Sequence, residues 1–301
     1  MVAALRRAAL TLAAVVVAVF LLTGLLPQDA AQVMAGQQAD PARVAALRAA
    51  MGFDRPAWER FGSWLLGVAH GDFGKSYLDG QPVGAVLGQR LGASLAVVVP
   101  AWLLAVALGV LVALLLGWRD RRAGSALVAA VSALPDVVLI SGLVLVFATV
   151  LGWLPAVSLL PVGGSAWERP EILVLPVLAL TLPAAAWLAR LLRGPVADVV
   201  GRPFVLDARL RGLSPARIAV RHVLPHLAAP LAQGAALLLG GLLAGTTVVE
   251  SLLAYPGLGQ LLATAVGTRD VPVVQAVALL DAVVVLVAVL IADRVAAAGA
   301  R

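Results

Sequence analysis

The sequence predicts an all-α, polytopic membrane protein, a helical bundle that crosses the bilayer six times. Three observations carry this. The 301 residues are 62% hydrophobic and only 13% charged, with a mean hydropathy of +1.01, well outside the range of a soluble globular chain. Several apolar runs approach or exceed the roughly 20 residues that cross a bilayer as a helix, and closely spaced Pro, Gly and Arg separate them. Alternating strand patterns are absent, and lipid excludes open sheets because their edge N–H and C=O groups would have no partner.

Taken in order, the runs place spans near 8–26, 93–117, 124–151, 171–193, 227–250 and 272–293. The first follows Arg6 and Arg7 and precedes small residues around Ala30 and Ala35, which resembles a signal peptide. Its apolar part is about 19 residues, longer than the 7–15 of a cleaved signal, so residues 1–26 are read as a retained transmembrane anchor, with cleavage as the alternative. Residues 27–92 are polar, carry a helical stretch from about Pro41 to Met51, and end in a glycine-rich loop; they form an extracytoplasmic segment between the first two spans. The remaining five spans make a membrane core over 93–295, with its longest cytoplasmic loop at 194–226.

Arginine placement tests the orientation independently. With the N-terminus inside, Arg6, Arg7, Arg119, Arg121, Arg122, the seven arginines from Arg190 to Arg221, Arg294 and Arg301 are cytoplasmic, 14 of the 22 Lys and Arg. The two short outer loops hold only Arg169 and Arg269, and a loop as long as 27–92 is translocated largely regardless of charge. Both termini are therefore expected in the cytoplasm.

Several chemistries are excluded or disfavoured. No cysteine is present, so disulfides, thiolate metal sites and cysteine nucleophiles are out. His222 and His226 are spaced i, i+4, but Pro225 between them interrupts the helix that would align two ligands, and no metal site is expected. No Ser/His/Asp set or acid–base carboxylate pair occurs. The net charge of +6 comes from arginines between apolar runs rather than a basic stretch interleaved with aromatics, which argues against nucleic acid. The stretch Ala69–Ser76 (AHGDFGKS) is one residue short of a phosphate-binding loop, with Ala69 where the first glycine should stand. No βαβ unit surrounds it, and it falls on the extracytoplasmic side, where ATP is scarce. Energy for any transport must come from another subunit.

Function concentrates in Arg202–Pro225, RPFVLDARLRGLSPARIAVRHVLP. Phe204–Arg211 has helical composition, Gly212 is a helix stop, and Ser214-Pro215 is an N-cap and first-turn pair. A solvated basic loop is the plain alternative. Against it, Phe204, Val205, Leu206, Leu210 and Leu213 would be wasted in water, so a short helix that docks a soluble partner is expected.

This loop resembles the cytoplasmic loop of ABC importer permeases, which reads Glu, Ala, Ala, three residues, Gly, nine residues, Ile, any residue, Leu, Pro. Anchored on Gly212, Ala208 is the second Ala and Leu224 with Pro225 the closing pair, while Leu206, Asp207 and His222 depart from the pattern. Ala208, Arg209, Leu210, Arg211, Gly212 and Leu213 are similar instead to the subgroup that imports peptides and nickel. Residues 51–76, Leu134 with Pro135, Gly152 to Pro155, and residues 248–275 resemble the same subgroup, the last through Glu250, Pro256, Gly257, Gly259, Arg269, Asp270, Pro272 and Gln275.

The resemblance implies a type I ABC importer permease fold, with 93–295 as its transmembrane core, in the bacterial cytoplasmic (inner) membrane. It implies a second homologous permease, forming a heterodimer, two ATPase subunits that carry ATP and Mg, and an extracytoplasmic substrate-binding protein; this chain would bind no cofactor. Leu206, Asp207, Ala208, Arg209, Arg211, Gly212, Leu213 and Ser214, with Leu224 and Pro225, would be the ATPase-coupling loop. Glu250, Pro256, Gly257, Gly259, Arg269 and Asp270 would form a re-entrant outer gate, although a plain Pro-Gly turn between spans reads equally from 256–259 alone. Cargo stays open among dipeptides, oligopeptides, nickel and metal chelates.

Asp136 and Asp281 depart from the family pattern and fall inside spans, where carboxylates are costly and seldom face lipid. Either they line the pathway and favour cationic groups, or they make interhelical hydrogen bonds or pair with the partner permease. Two rival functions are a secondary transporter, thinly supported by two isolated aspartates, and a membrane scaffold whose loop docks a partner unrelated to ATP.

Overall fold

The computed structural model describes residues 2–24, 30–36, 40–118, 122–160 and 166–299. Arg119, Arg121 and Arg301, three of the charges used for orientation, lie outside the described residues. Thirteen α-helices are present among those residues: α1 (Val2–Gly24), α2 (Ala30–Ala35), α3 (Pro41–Ala50), α4 (Ala57–Ala69), α5 (Val83–Trp118), α6 (Arg122–Ala133), α7 (Asp136–Leu143), α8 (Glu171–Val200), α9 (Pro203–Leu210), α10 (Pro215–Ile218), α11 (Ala228–Leu252), α12 (Leu258–Thr268) and α13 (Val271–Gly299). Among the described residues no strand forms; Lys75 and Pro82 make one isolated antiparallel bridge.

The expected spans differ in shape, and their count of six is not reproduced exactly among the described residues. Among the described residues four helical stretches are long and apolar enough to cross a membrane: α5, α8, a continuous run from Pro215 to Leu252, and α13. The run expected at 124–151 is broken. It splits into α6 and α7, bent by 102°, and would count as a fifth span if the pair crosses together. Pro135 causes the break: its extended backbone (ψ 138°) interrupts the helix between Ala133 and Asp136, and it lacks the N–H that would continue the ladder. The first span corresponds to α1, whose described apolar stretch, Ala8–Gly24, falls just under the length of the others. The fifth span starts well before residue 227, because α10 runs through π-helical 219–223 and 3₁₀ residues 224–227 into α11.

The chain forms two compact units, residues 1–94 with 256–283, and residues 95–255 with 284–301. In the first, Val83 and Leu87 of α5 pack with Leu258 and Ala265 of α12 and with Val273, Val274 and Val277 of α13. Polar clasps add specificity. The buried Asp270 carboxylate accepts from Ser76 Oγ at 2.5 Å and from the Tyr77 N–H at 3.0 Å, which ties the 74–82 loop to the start of α13. Gln275 Nε2 donates to Thr23 Oγ1 at 2.9 Å, joining α13 to α1. Phe20 of α1 meets Phe61 of α4 edge-on at 5.0 Å.

In the second unit α8 is the buried centre, against which α6, α7 and α11 pack. Lipid tails are as apolar as leucine, so burial alone does not hold such helices together; close approach through small residues does. Gly109 and Gly117 of α5 provide that approach. A Cβ on Gly109 would lie 2.9 Å from Leu188 Cβ, and one on Gly117 only 2.5 Å from Val196 Cγ1, both on α8. Trp102 Nε1 donates to the Ala235 carbonyl at 2.9 Å, and Thr181 Oγ1 to the Ala101 carbonyl at 3.4 Å beside Pro100.

Gly117→Val is expected to destabilise the chain by about 1–3 kcal/mol through overpacking, because Val196 is stiff at χ1 and cannot swing away. The check is the thermal unfolding midpoint in detergent, where Gly84→Ala, which meets nothing within 4 Å, should sit close to wild type.

Candidate functional site

The 201–227 region is built by local chemistry. Arg202 is extended (ψ 148°) and Pro203 opens α9 at its first turn, where a missing N–H costs nothing. The helix closes in a Schellman arrangement. The Leu213 N–H donates to the Ala208 carbonyl at 3.2 Å and the Gly212 N–H to the Arg209 carbonyl at 2.9 Å, with Gly212 left-handed at φ 74°. Ser214 caps the next helix, its Oγ accepting from the Arg217 N–H at 3.4 Å, with Pro215 following.

Packing then divides α9 into two faces. Val205 is fully buried and Ala208 is 4% exposed, so this i, i+3 pair seats the helix within the chain. Leu206 at 57% and Leu210 at 80% exposure form the opposite i, i+4 pair, bare of any neighbour that would bury them. Of the five apolar residues expected to be wasted in water, only these two are exposed; Phe204 and Leu213 are half-buried. Asp207 and Arg211 pair at 2.9 Å, but both are mostly exposed, and such a pair is worth little. Leu224 is half-buried and Pro225 exposed in the 3₁₀ turn.

Two contacts that sequence reasoning did not find hold α9 to the bundle. The Arg209 guanidinium lies 4.5 Å from the centroid of the Trp118 ring at the end of α5. Phe204 stacks on His226 at 4.9 Å, and His226 Nδ1 donates to the His222 carbonyl at 2.8 Å. The aromatic at the close of an apolar run was the one available signal for Trp118, and nothing local pairs it with a residue 91 positions later.

The residues expected near the outer gate are placed as follows. In the second unit Glu250 is fully buried on α11, its carbonyl accepting from the Tyr255 N–H at 2.8 Å, and the Leu253 carbonyl accepts from the Ser158 N–H at 2.7 Å. In the first unit Pro256 and an extended Gly257 lead into α12, whose first N–H, on Leu258, donates to Ser94 Oγ at 2.7 Å. Gly259 is buried, and Arg269 ends α12 in the left-handed conformation at φ 60°. The Asp270 N–H then reaches back to the Ala265 carbonyl at 2.8 Å. With 11 residues α12 is too short to cross a bilayer.

Asp136 is exposed at the first turn of α7, directly after the bend. With Ser132, Trp187, Leu238 and Gly241 it lines a cavity of about 390 Å³ in the second unit, and Arg190 Nη1 donates to Ser132 Oγ at 2.8 Å. Asp281 lies half-buried in the middle of α13. Among the described residues no group of three His, Asp or Glu is arranged to hold a metal ion.

Gly212→Ala should destabilise the α9 closure by about 1 kcal/mol or more, because the left-handed backbone disfavours a Cβ. Hydrogen exchange of the Gly212 and Leu213 amides should quicken correspondingly while the spans remain protected.

Comparison with known proteins identifies the architecture. The family model described as "Binding-protein-dependent transport system inner membrane component" matches residues 105–301, and the model for the N-terminal part of such components matches residues 1–98. The glutathione transport system permease protein GsiC of Salmonella choleraesuis (strain SC-B67) is 34% identical over 274 residues, covering 90% of this chain and 87% of the relative. GsiC of Escherichia coli (strain K12) is 33% identical over 275 residues with the same coverage. Among solved structures, the MetNI methionine ABC transporter in inward-facing conformations aligns with 72% of this chain and 97% of its own at a TM-score of 0.55 and 18% identity, a likeness of fold. The helical membrane bundle and these matches together show that the chain belongs to the binding-protein-dependent transport system inner membrane component family, the permeases of ABC importers.

Proposed function

We propose that this permease forms one half of the pathway of a peptide-type importer and is driven, through its 194–226 loop, by a separate ATPase. The observation that carries the reading is the two-faced α9. Val205 and Ala208 lock one side into the chain, while Leu206 and Leu210 leave an apolar pair uncovered on the other. A helix so seated is a lever waiting for a socket. Arg209 on Trp118 and Phe204 on His226 tie the lever to the end of α5 and to the turn that opens α11. Displacement of α9 on ATP-driven closure would therefore be passed to two spans, as a switch between inward-open and outward-open states requires.

The relatives named for glutathione, a tripeptide, favour peptide cargo over nickel or a metal chelate. The assembly is read as a heterodimer with a second homologous permease, two ATPase subunits holding ATP and Mg, and an extracytoplasmic binding protein, with no cofactor and no ATPase site on this chain. The near-miss stretch Ala69–Ser76 supports that assignment, since Ser76 is engaged with Asp270 and Asp72 accepts the Gly74 N–H at 2.8 Å. The arginine distribution favours both termini in the cytoplasm. Glu250, Pro256, Gly257, Gly259, Arg269 and Asp270 then lie toward the outside, where a short helix such as α12 is tolerated if protein shields it or it lines a wet path. Asp136 on its cavity beside Trp187 suits a cationic cargo group such as a peptide amine; Asp281 is the second candidate.

Leu206→Asp with Leu210→Asp should weaken retention of the partner ATPase on co-purification by about 2 kcal/mol or more, the scale of a hot-spot loss, with the permease itself still folded. Ala208→Asp should instead unseat α9. If the double variant holds the ATPase as well as wild type does, the coupling assignment is wrong.

Asp136→Asn should lower uptake of peptides with a free amine several-fold while leaving assembly intact. Unchanged uptake in a folded complex would remove Asp136 from the pathway and leave it an interhelical or partner contact.

A further inference from the structure

We propose that Arg190 of α8 takes the C-terminal carboxylate of the cargo, so that the Asp136 cavity and the smaller cavity next to it select short peptides with both a free amine and a free carboxylate. The inference rests on the reading that places the Asp136 cavity in the pathway, and adds an oppositely charged contact to it. The walls that α8 and α11 give to the 390 Å³ cavity are apolar; Ser132 and Asp136, at the corner where α6 meets α7, are its only hydroxyl-bearing or charged lining side chains. Next along α6 and α8 comes a cavity of about 210 Å³, whose lining includes Ala129 of α6 with Arg190 and Arg193 of α8. Ala129 and Ser132 are spaced i, i+3, as are Trp187 and Arg190, so one turn of each helix carries the lining from one cavity to the next. The partition between them is the hydrogen bond that Arg190 Nη1 donates to Ser132 Oγ at 2.8 Å. Ser132 donates its own proton to the Ala129 carbonyl at 3.0 Å, which turns the acceptor side of the hydroxyl to the arginine.

Neither charge is compensated. Among the described residues Asp136 and Arg190 have no ion-pair partner, and they do not pair with each other. An arginine that served only the membrane interface would extend its head into water. This one is turned onto a side chain that lines the cavity, and a single neutral hydrogen bond leaves most of its five donors for a planar acceptor with two oxygens. The row of charges also sets what fits. A bare anion meets Asp136 and a bare cation meets two arginines, whereas a molecule with one charge of each sign leaves neither unpaired. Length agrees with a small peptide. From Pro183, on the wall of the first cavity, to Arg190 the helix rises about 10 Å. The ends of an extended dipeptide or tripeptide lie roughly 7–10 Å apart.

The test is uptake by the assembled transporter in proteoliposomes of dialanine, its C-terminal amide and its N-acetyl form. Each variant is compared with wild type on the same three cargoes, so that the preference of the binding protein cancels. Arg190→Gln should lower the ratio of dialanine to amide uptake about tenfold, the order expected for loss of a hydrogen bond to a charged group. Arg190→Lys, which keeps the charge, should restore much of that ratio, and Asp136→Asn should lower instead the ratio of dialanine to N-acetyl uptake. In wild type, dialanine but not its amide should protect Arg190 from the arginine reagent phenylglyoxal, read by mass spectrometry of the peptide that contains it; this measurement needs no variant to assemble. If Arg190→Gln lowers all three cargoes alike and dialanine gives no protection, Arg190 is a tie between α6 and α8, and the proposal falls while the Asp136 reading stands. Equal protection by the amide would mark closure of the cavity rather than carboxylate binding and would also overturn it. If neither Arg190→Gln nor Asp136→Asn changes any uptake in a folded complex, the cavity lies outside the pathway, and the Asp136 reading fails together with the proposal.

Discussion

Within lipid, every backbone N–H and C=O must find its partner inside the protein, and the rest of this structure follows from that. The described chain is almost wholly helical for this reason, and the places where helix stops are the places where another group steps in. Ser94 Oγ takes the leading N–H of α12, and the Ser158 N–H takes the carbonyl of Leu253 where α11 ends. Near Pro100, inside α5, Thr181 of α8 donates to the Ala101 carbonyl, a hydrogen bond between the two helices. Prolines at 176, 183 and 195 sit inside α8 under the same rule, since its neighbours can hold the freed groups away from lipid.

A second consequence concerns how helices hold together once the hydrophobic effect no longer distinguishes neighbour from solvent. Contact then rests on fit and on a few hydrogen bonds. In the second unit the fit comes from Gly109 and Gly117, whose missing side chains let α5 lie against Leu188 and Val196. In the first unit Gln275 on Thr23 joins α13 to α1, while Ser76 and Tyr77 on Asp270 fasten a loop to the start of α13. Both devices are specific to a register, so each also decides which faces remain available for lipid, cargo or partners.

Around α9 the logic is local: capping is enough to define the helix ends, as Gly212 and Ser214 show. What local chemistry does not supply is a seat. Trp118 and His226 supply it, and with Val205 and Ala208 they turn one side of α9 inward and leave Leu206 and Leu210 outward. A capped helix without that seat would be held to the bundle only by its flanking chain.

The sequence by itself determined the membrane class, the approximate placement of the apolar runs and the caps of the helices in the 201–227 region. These depend on composition, on runs longer than a bilayer is thick, and on interactions among residues a few positions apart, all of which leave a mark in the order of amino acids. Tertiary structure alone decided the 102° bend between α6 and α7, the continuous run from Pro215 to Leu252, and which apolar residues of α9 face outward. It also decided that Asp136 lines a cavity and that Ser76, inside a stretch that resembles a nucleotide loop, instead serves Asp270 across 194 positions of chain. Pro135 was visible as a residue, but whether it kinks, breaks or is tolerated depends on what packs around it. Pairings between distant residues have no local pattern, because either partner alone looks like any other serine, tryptophan or aspartate until the fold brings the two together.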